Sequence, residues 1–280
     1  MPLSKPLWVT KEELLGQCLR LGLVPGDLIM VHASLKAVGE ILGGPDILIE
    51  ALRETIGAKG TMMMYAGCQM PFDDLGRGIY DIDEENFILQ NCPPFDPNTA
   101  RASRDFGALA EFFRSTPGVC CSINPSCRMA AVGERSSWLL SQHPLNYGMG
   151  KGSPLEKLCE ADGKLVLIGS DLDAVTLLHY AEAIASIPNK KIVRIKVPLL
   201  INGKREWIEV EEFNSSSGIC DWEDSYFALI VKKYIAADRC LASGLIGKAT
   251  TYVLSAADLV HFAVPIMEED ASSMEKLNAD

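Results

Sequence analysis

The chain has 280 residues and a formal net charge of −11, and 48% of its residues are apolar. This composition is typical of a soluble globular protein that can build a sizeable core. The acidity argues against a nucleic-acid partner, because such a partner needs a basic surface for its phosphates. The apolar stretches are far shorter than the roughly 20 residues that cross a bilayer, and the N-terminus lacks the pattern of a signal peptide. We therefore expect a cytoplasmic protein that binds neither nucleic acid nor membrane.

Nine cysteines and four histidines raise the question of disulfides or a metal site. The cysteine count is odd, no C-x-x-C pair occurs, and Cys120 is adjacent to Cys121, an arrangement that suits neither a disulfide nor zinc. The histidines are also far apart in the sequence. We predict reduced structural thiols and no metal ion.

The N-terminal part of the chain predicts alternating helices and strands. Thr10 and Glu13 form a capping-box pattern before an amphipathic helix, whose predicted apolar positions are Leu14, Leu15, Cys18, Leu19 and Leu21. The next predicted elements are a buried strand over 28–33, a loop over 34–44, a helix that Pro45 opens and Gly57 closes, and a buried strand over 61–66.

The remaining sequence adds further helices, one strand and a β-hairpin. The predicted elements are helices over 106–115 and around 134–141, a turn-rich segment at 143–154, an apolar strand over 164–169, a helix over 176–185, a hairpin about Asn202-Gly203, and helices near 222–237 and from 255 onward. This order predicts an α/β fold. We expect a single domain with a central mixed sheet, mainly antiparallel or of mixed order, flanked by helices and with a β-hairpin excursion.

His179 is the first candidate for catalysis. On a helical wheel of residues 176–187, His179 and Glu182 lie together, opposite the apolar residues. A solvent-exposed surface pair is one interpretation. The other is functional, because the helix follows the C-terminal end of an apolar strand, where open α/β sheets bind ligands. A carboxylate beside an imidazole orients it as a general base.

Two further features have both a structural and a functional interpretation. The segment HASLKAVG, residues 32–39, is an ordinary turn or a cradle of backbone amides for an anionic group. Segments 72–87 and 209–224 are strongly acidic, which is typical of solvated surfaces. If both flanked one cleft, they would instead attract a polycationic ligand. The sequence contains no G-x-S-x-G motif, so this signal of a serine nucleophile is absent.

Several long segments together resemble the antibiotic (aminoglycoside) 3-N-acetyltransferases over about residues 8–265. They are MVHASLKAVGEILGGPDILIEALRETIGAKGTMMMY, PFDPNTARASRDFGALAEFFRSTPG, GKGSPLEKL, IGSDLDAVTLLHYAEAIA, EEFNSSSGI and AADLVHF. The resemblance implies one domain over residues 1–280 that transfers the acetyl group of acetyl-coenzyme A to the 3-amino group of a cationic aminoglycoside. It also implies an α/β fold; for the assembly we expect a monomer or homodimer.

The resemblance assigns roles to individual residues. His179 matches the family's catalytic base, and we expect Glu182, Glu212 and the oxyanion donor Thr176 to act with it. The implied coenzyme A contacts are Ser34, Leu35, Lys36, Ala37, Val38, Gly39 and Ser153. The expected substrate contacts are Asp73, Asp173, Glu212 and Asn214.

Three positions depart from the family's pattern. Asn124 takes the place of the histidine in a Ser-x-His-Pro motif that is common in the family. Many close relatives have a tryptophan near Cys68, and Asn214 only partly preserves an asparagine or aspartate pattern. These departures lie in segments associated with the amine substrate and leave the antibiotic range open. Other hypotheses are an acetyltransferase for another small amine, a Cys/His hydrolase or thioesterase, and a non-catalytic ligand-binding relative.

Overall fold

The computed structural model describes residues 8–68, 71–214, 219–220 and 222–279, without the side chains of Pro71, Asp73 and residues 275–279. Its helices are α1 (Lys11–Arg20), α2 (Leu35–Val38), α3 (Pro45–Ile56), α4 (Ile82–Asn91), α5 (Ala108–Ser115), α6 (Ser136–Leu140), α7 (Pro154–Glu160), α8 (Leu177–Ile184), α9 (Tyr226–Ala236) and α10 (Ala256–Ala279). Its strands are β1 (Leu28–Ala33), β2 (Thr61–Tyr65), β3 (Cys120–Cys121), β4 (Met129–Gly133), β5 (Lys164–Ile168), β6 (Ile192–Ile201), β7 (Lys204–Phe213), β8 (Ala242–Ile246) and β9 (Ala249–Ser255).

The central sheet is mixed, as the sequence predicts. Its strand order is β3-β4-β2-β1-β5-β9-β8. Strand β1 is parallel to both of its neighbours, β2 and β5, whereas the other neighbouring pairs are antiparallel. The α/β fold class with a mixed, mainly antiparallel sheet is therefore confirmed.

Helices cover both faces of this sheet. On one face, Leu14 of α1, Leu52 of α3 and Phe113 of α5 pack with Ile29 and other residues of the strands. On the opposite face, apolar residues of α6 to α10 form a second core with strand residues such as Met30 and Leu167. Successive residues of β1 thus enter opposite cores, which explains the continuous apolar run of this buried parallel strand.

Strands β6 and β7 form a separate antiparallel sheet, the predicted hairpin about Asn202-Gly203. Its core is small and its own: Ile195, Val197 and Val210 pack with Phe72 and Cys92. The hairpin is therefore supported by the segment around the 3-10 turn Pro71–Asp74 and by the start of the connection that follows α4.

The two central parallel strands determine where a ligand can bind. After β1 the chain continues through α2 and α3 to β2 on one side, and after β5 it continues through α8 and later elements to β8 and β9 on the other. The connections diverge from the carboxyl ends of two neighbouring strands. Such a topological switch point opens a crevice at the edge of the sheet.

Some local predictions are wrong. Leu19, assigned to the apolar face of α1, is exposed, and the predicted loop after β1 contains the single helical turn α2. Helix α4 and the hairpin of β8 and β9 were not predicted. None of the described helices combines the length and the apolarity that a bilayer crossing requires.

Candidate active site

A large cleft lies at the switch point between β1 and β5. Its volume is about 1140 Å³, at the upper end of ligand pockets in general. Residues 31–36 at and beyond the end of β1 line it, and so do residues from Ser170 to Glu182 that follow β5. The hairpin contributes Val193, Ile195, Glu212 and Phe213. The cleft thus lies between the central sheet and the hairpin.

His179 and Glu182 form the predicted pair within this cleft. The Nδ1 atom of His179 lies 2.8 Å from Oε2 of Glu182, as expected for residues three apart on one helix. Their surroundings differ from the solvent-exposed interpretation, because the Glu182 side chain is only 3% exposed and that of His179 is 23% exposed. An ionised carboxylate only accepts hydrogen bonds, so the imidazole donates through Nδ1–H and keeps the lone pair of Nε2 available.

Two residues complete the surroundings of this pair: Trp222 in the segment before α9 and Phe227 in the first turn of α9. The indole Nε1–H of Trp222 donates to Oε1 of Glu182 at 2.8 Å. The ring of Phe227 meets the imidazole edge-on, with the ring centroids 4.8 Å apart. The buried carboxylate therefore has a donor on each oxygen, which offsets the cost of burying its charge.

Thr176 begins α8 and lies on the same wall of the cleft. It is buried and lines the cleft, and its carbonyl accepts the backbone N–H of His179 at 3.1 Å. The hydroxyl and the imidazole are therefore held at the N-terminal end of one helix. This places a neutral donor near the candidate base.

The segment after β1 divides into residues that face the cleft and residues that support it. Ser34, Leu35 and Lys36 line the cleft, and the Ser34 hydroxyl accepts the N–H of Ala37 at 3.3 Å. Ala37 packs against Gly169, whose φ of +57° and whose neighbours leave no room for a Cβ. Val38 is buried, and its carbonyl accepts the N–H of Lys248 at 2.9 Å.

Six carboxylates and two basic side chains are among the described residues of the cleft wall, which is therefore acidic. The carboxylates are Asp74, Asp105, Asp171, Asp173, Glu182 and Glu212, and the basic residues are Lys36 and Arg77. Each predicted acidic segment contributes one of them, Asp74 or Glu212. Most of the other acidic residues in these segments are exposed away from the cleft, as the surface interpretation predicts.

Glu212 also connects the hairpin to the turn-rich segment. It is buried, and both of its carboxylate oxygens accept the backbone N–H of Gly148, at 2.8 and 3.0 Å. The Gly148 carbonyl in turn accepts from Nε2 of His143 at 2.7 Å, and Nδ1 of His143 accepts from the Ser122 hydroxyl at 2.8 Å. Burial lowers the pKa of His143 to about 4, which keeps this imidazole neutral.

Several predicted site residues lie away from the cleft wall. Ser153 is fully buried and caps α7 by accepting the N–H groups of Leu155 and Glu156. Gly39, with a φ of +92°, approaches the Lys248 side chain instead. Asn214 donates its N–H to the Lys191 carbonyl at 2.9 Å. The side chain of Asp73 lies outside the described part of the structure.

Two of the three departures from the family's pattern, Asn124 and Cys68, are buried structural positions in this chain. Asn124 is fully buried; its side chain accepts the N–H of Cys127 at 2.7 Å and donates to the Pro144 carbonyl at 2.6 Å. Cys68 is also buried, with its thiol 3.4 Å from the Pro125 carbonyl. Neither residue lines the cleft. Asn124 nevertheless positions Cys127, which does.

Sequence reasoning missed Trp222, Asp105 and Asp171. Asp171 and Asp105 are near or within short 3-10 turns, where the pattern Asp-x-Asp or Ser-x-Asp signals local capping but not a binding wall. Trp222 is 40 positions from Glu182, and no local periodicity relates the two. A metal site is not apparent either: the described residues contain no group of three or more His, Cys, Asp or Glu arranged to hold an ion.

Comparison with known proteins gives one consistent result. The sequence model of the family described as aminoglycoside 3-N-acetyltransferase matches residues 30–268. Aminoglycoside N(3)-acetyltransferase III of Pseudomonas aeruginosa is 39% identical over 260 residues, which cover 92% of this chain and 93% of that protein.

Solved structures agree with the sequence comparison. AAC-IIIb in a binary complex with CoASH superposes with a TM-score of 0.88 at 41% identity, covering 94% of this chain and 97% of that one. AAC-VIa bound to sisomicin, in a room-temperature neutron and X-ray structure, gives a TM-score of 0.87 at 36% identity, covering 94% and 98%.

Proposed function

The chain belongs to the aminoglycoside 3-N-acetyltransferase family, and from this premise we propose that it acetylates the 3-amino group of aminoglycosides with His179 as the general base. The acetyl donor is acetyl-coenzyme A. The single observation that carries the assignment of the base is the hydrogen bond between His179 and the buried Glu182 inside an acidic cleft.

The pair has the properties that the reaction requires. The amine must lose a proton as its nitrogen attacks the thioester carbonyl. Nε2 of His179 accepts this proton while Glu182 stabilises the imidazolium that results. The tetrahedral intermediate then breaks its C–S bond and releases coenzyme A as a thiolate, to which the imidazolium returns the proton. General-base assistance of this kind contributes about 10²- to 10⁴-fold to the rate. The hydroxyl of Thr176 is our candidate donor to the oxygen of the tetrahedral intermediate.

The charge of the cleft supports a polycationic acceptor. Asp173 and Glu212 line the same cleft as the base, and Asp105 and Asp171, which sequence reasoning missed, add to the same field. Carboxylates attract ammonium groups and raise the local concentration of the substrate. We assign the acceptor to Asp173 and Glu212, and retain Asp73 and Asn214 as predictions from the resemblance.

We assign the acetyl donor to the side of the switch point that is formed by the segment after β1. Ser34, Leu35 and Lys36 line the cleft after β1, and Ala37, Val38 and Gly39 support the turn from behind. Lys36 supplies a positive charge for an anionic group. Ser153 would act indirectly, through the start of α7 that it caps.

A direct transfer fits the cleft better than a Cys/His hydrolase. Cys127 lines the cleft, but its thiol lies 3.9 Å from a carboxylate oxygen of Glu212, and a nearby negative charge disfavours the thiolate. Transfer from donor to acceptor in one ternary complex needs no acyl-enzyme, and holding both substrates together lowers the entropic barrier.

The proposal extends to the context of the enzyme. We treat residues 1–280 as one catalytic domain with a core over about 8–265, present as a monomer or homodimer in the cytoplasm. The nine cysteines all lie in the described part of the chain and form no disulfide there, which supports a reducing compartment.

The test is an assay of thiol release from acetyl-coenzyme A with a panel of aminoglycosides and simple amines, followed by NMR of the product to locate the acetyl group. We expect turnover with aminoglycosides and acetylation at the 3-amino group. Turnover with simple amines alone would instead support another small-amine acetyltransferase. Burst kinetics with inactivation by thiol reagents would support the hydrolase.

A further inference from the structure

Two donors hold the Glu182 carboxylate: the imidazole of His179 on the same helix and the indole of Trp222 in the segment before α9. Its Oε2 faces His179 and its Oε1 accepts from the indole of Trp222, both at 2.8 Å. The carboxylate is almost fully buried. Its rotation is therefore restricted by Trp222 as much as by its own helix.

The indole is itself oriented by stacking. The rings of Trp222 and Tyr226 are parallel within 7° with centroids 4.3 Å apart, and the Tyr226 hydroxyl donates to Asp270 of α10 at 2.8 Å. Burial, together with this hydrogen bond, raises the pKa of Tyr226 well above its usual range, so the hydroxyl remains a donor. A continuous set of contacts thus connects α10 to the imidazole.

Other charged groups also face this carboxylate. Lys190 and Tyr226 interact electrostatically with Glu182, and both also interact with Cys220. On the cleft side, the wall that Glu182 shares carries Asp171, Asp173 and Glu212, among other charged residues. Among the described residues, Trp222 is distinguished by a direct hydrogen bond to the oxygen that His179 does not use.

We propose that Trp222 is a positioning residue of the acetyl transfer: its indole N–H fixes the Glu182 carboxylate in the orientation that supports His179 as the base. The proposal rests on the function proposed above. Trp222 is not among the residues that line the cleft, so it acts through Glu182 and not on the substrates.

Loss of the Trp222 N–H should shift the pH dependence of turnover in a predictable direction. The carboxylate would retain the imidazole as its partner, and a less satisfied anion holds an imidazolium more strongly. The acidic limb of the kcat profile should therefore move to higher pH. With one donor instead of two, the carboxylate also positions the imidazole less precisely, which lowers turnover without changing how either substrate binds.

Two replacements at this position separate the hydrogen bond from the ring. Trp222→Phe keeps an aromatic ring for the stack with Tyr226 and removes the donor. Replacement of Trp222 by β-(3-benzothienyl)alanine, in which sulfur takes the place of the indole N–H, keeps the bicyclic shape and covers the case in which the smaller ring disturbs folding. The matched control is Trp207→Phe, which removes an indole donor to the Leu89 carbonyl in the hairpin region.

The kinetics use the full chain with acetyl-coenzyme A and tobramycin, at pH values on both sides of neutrality. For both replacements at Trp222 we expect kcat to fall about tenfold, the KM of each substrate to change by less than about twofold, and the acidic limb of the kcat profile to move to higher pH. Trp207→Phe should leave all three unchanged. The proton NMR signal of Nδ1–H in His179 should move in the Trp222 variants alone.

The outcomes distinguish a positioning role of Trp222 from a purely structural role. An unchanged kcat and acidic limb in both replacements would overturn the proposal, and so would a joint loss of kcat and thermal stability with the limb and the NMR signal unmoved. If the parent acetylates no aminoglycoside, the proposed function fails, whereas the NMR signal still tests the arrangement of Trp222, Glu182 and His179.

Discussion

Replacing His179 with alanine removes the hydrogen bond that the structure gives to a buried carboxylate. Such a bond to a charged group contributes about 1.5–3 kcal/mol to stability, and Glu182 would retain Trp222 as its donor. We therefore expect a loss of about 1.5–3 kcal/mol, or roughly 3–12 °C in Tm for a chain of this size. A helical wheel alone predicts a smaller loss, because it places both side chains in solvent.

The effect on catalysis should be larger than the effect on folding. Without the imidazole, the other histidine of the cleft wall, His32, is a poor substitute, because burial lowers its pKa to about 4, and kcat should fall by about 10²-fold or more. His179→Gln refines the test, because its amide can still donate to Glu182 but cannot act as a base. It should recover part of the stability and none of the turnover.

Circular dichroism and thermal melting establish folding, and thiol release from acetyl-coenzyme A with tobramycin measures turnover. The matched control is His261→Ala, which removes an exposed histidine of α10 and should change neither quantity. A folded His179→Ala variant with near-parental turnover would refute the assignment of the base. A melting temperature equal to that of the parent would refute the energetic role of the buried pair.

Three further predictions follow from the charges and burial described above. The KM for the aminoglycoside should rise with ionic strength more than the KM for acetyl-coenzyme A, because salt screens the carboxylates of the cleft; an equal rise would contradict their role. Lys36→Met should weaken coenzyme A binding in calorimetry with little loss of stability, since this residue is exposed and lines the cleft; unchanged affinity would remove Lys36 from the donor site. Burial lowers the pKa of His143 to about 4, below the value of ~6.5 in an unfolded chain. As the pH drops, the unfolded state therefore binds a proton at this histidine first, and the stability of the fold decreases from about pH 6.5 towards pH 4. His143→Asn should show a shallower fall in urea midpoints over this range, and an equally steep fall would contradict the assignment.

The fold was predictable where the sequence carries its own signals. The apolar runs of β1, β2 and β5, the Asn202-Gly203 turn, and Pro45 and Gly57 at the two ends of α3 each correspond to the element observed. Helix α4 was missed because none of its residues is buried, so it has no apolar periodicity. The edge strand β8 was missed for a similar reason, since most of its residues are at least partly exposed.

The site was predictable within one helix and not between elements. The spacing of His179 and Glu182 predicts their contact, and the position after β5 predicts the cleft. The second hydrogen bond to Glu182 comes from Trp222, which follows the hairpin in the chain and is 40 positions away. Ser153 shows the converse, because a motif associated with the cofactor turns out to cap α7, and its link to the donor stays a prediction.

Gly39 is a poor position at which to test the site of the acetyl donor. From the sequence, a bulky residue there would be expected to block the donor directly. Its φ of +92° and the 3.2 Å between an added Cβ and the Lys248 side chain make any substitution strained in itself. Lys36 is therefore the better position at which to test the donor site.

The two sheets divide the cleft into halves with different supports. One half belongs to the turns after β1 and β5, which are built into the central sheet, and the other to a hairpin with a small core of its own. Substitutions among the hairpin residues of this small core can therefore accumulate without disturbing the large cores; Phe213, which packs against one of the large cores, is the exception. In evolutionary terms, selection by new antibiotics can reshape the hairpin side of the acceptor site, which carries Glu212, by stepwise change, while the donor contacts after β1 and the base and Asp173 after β5 stay constant.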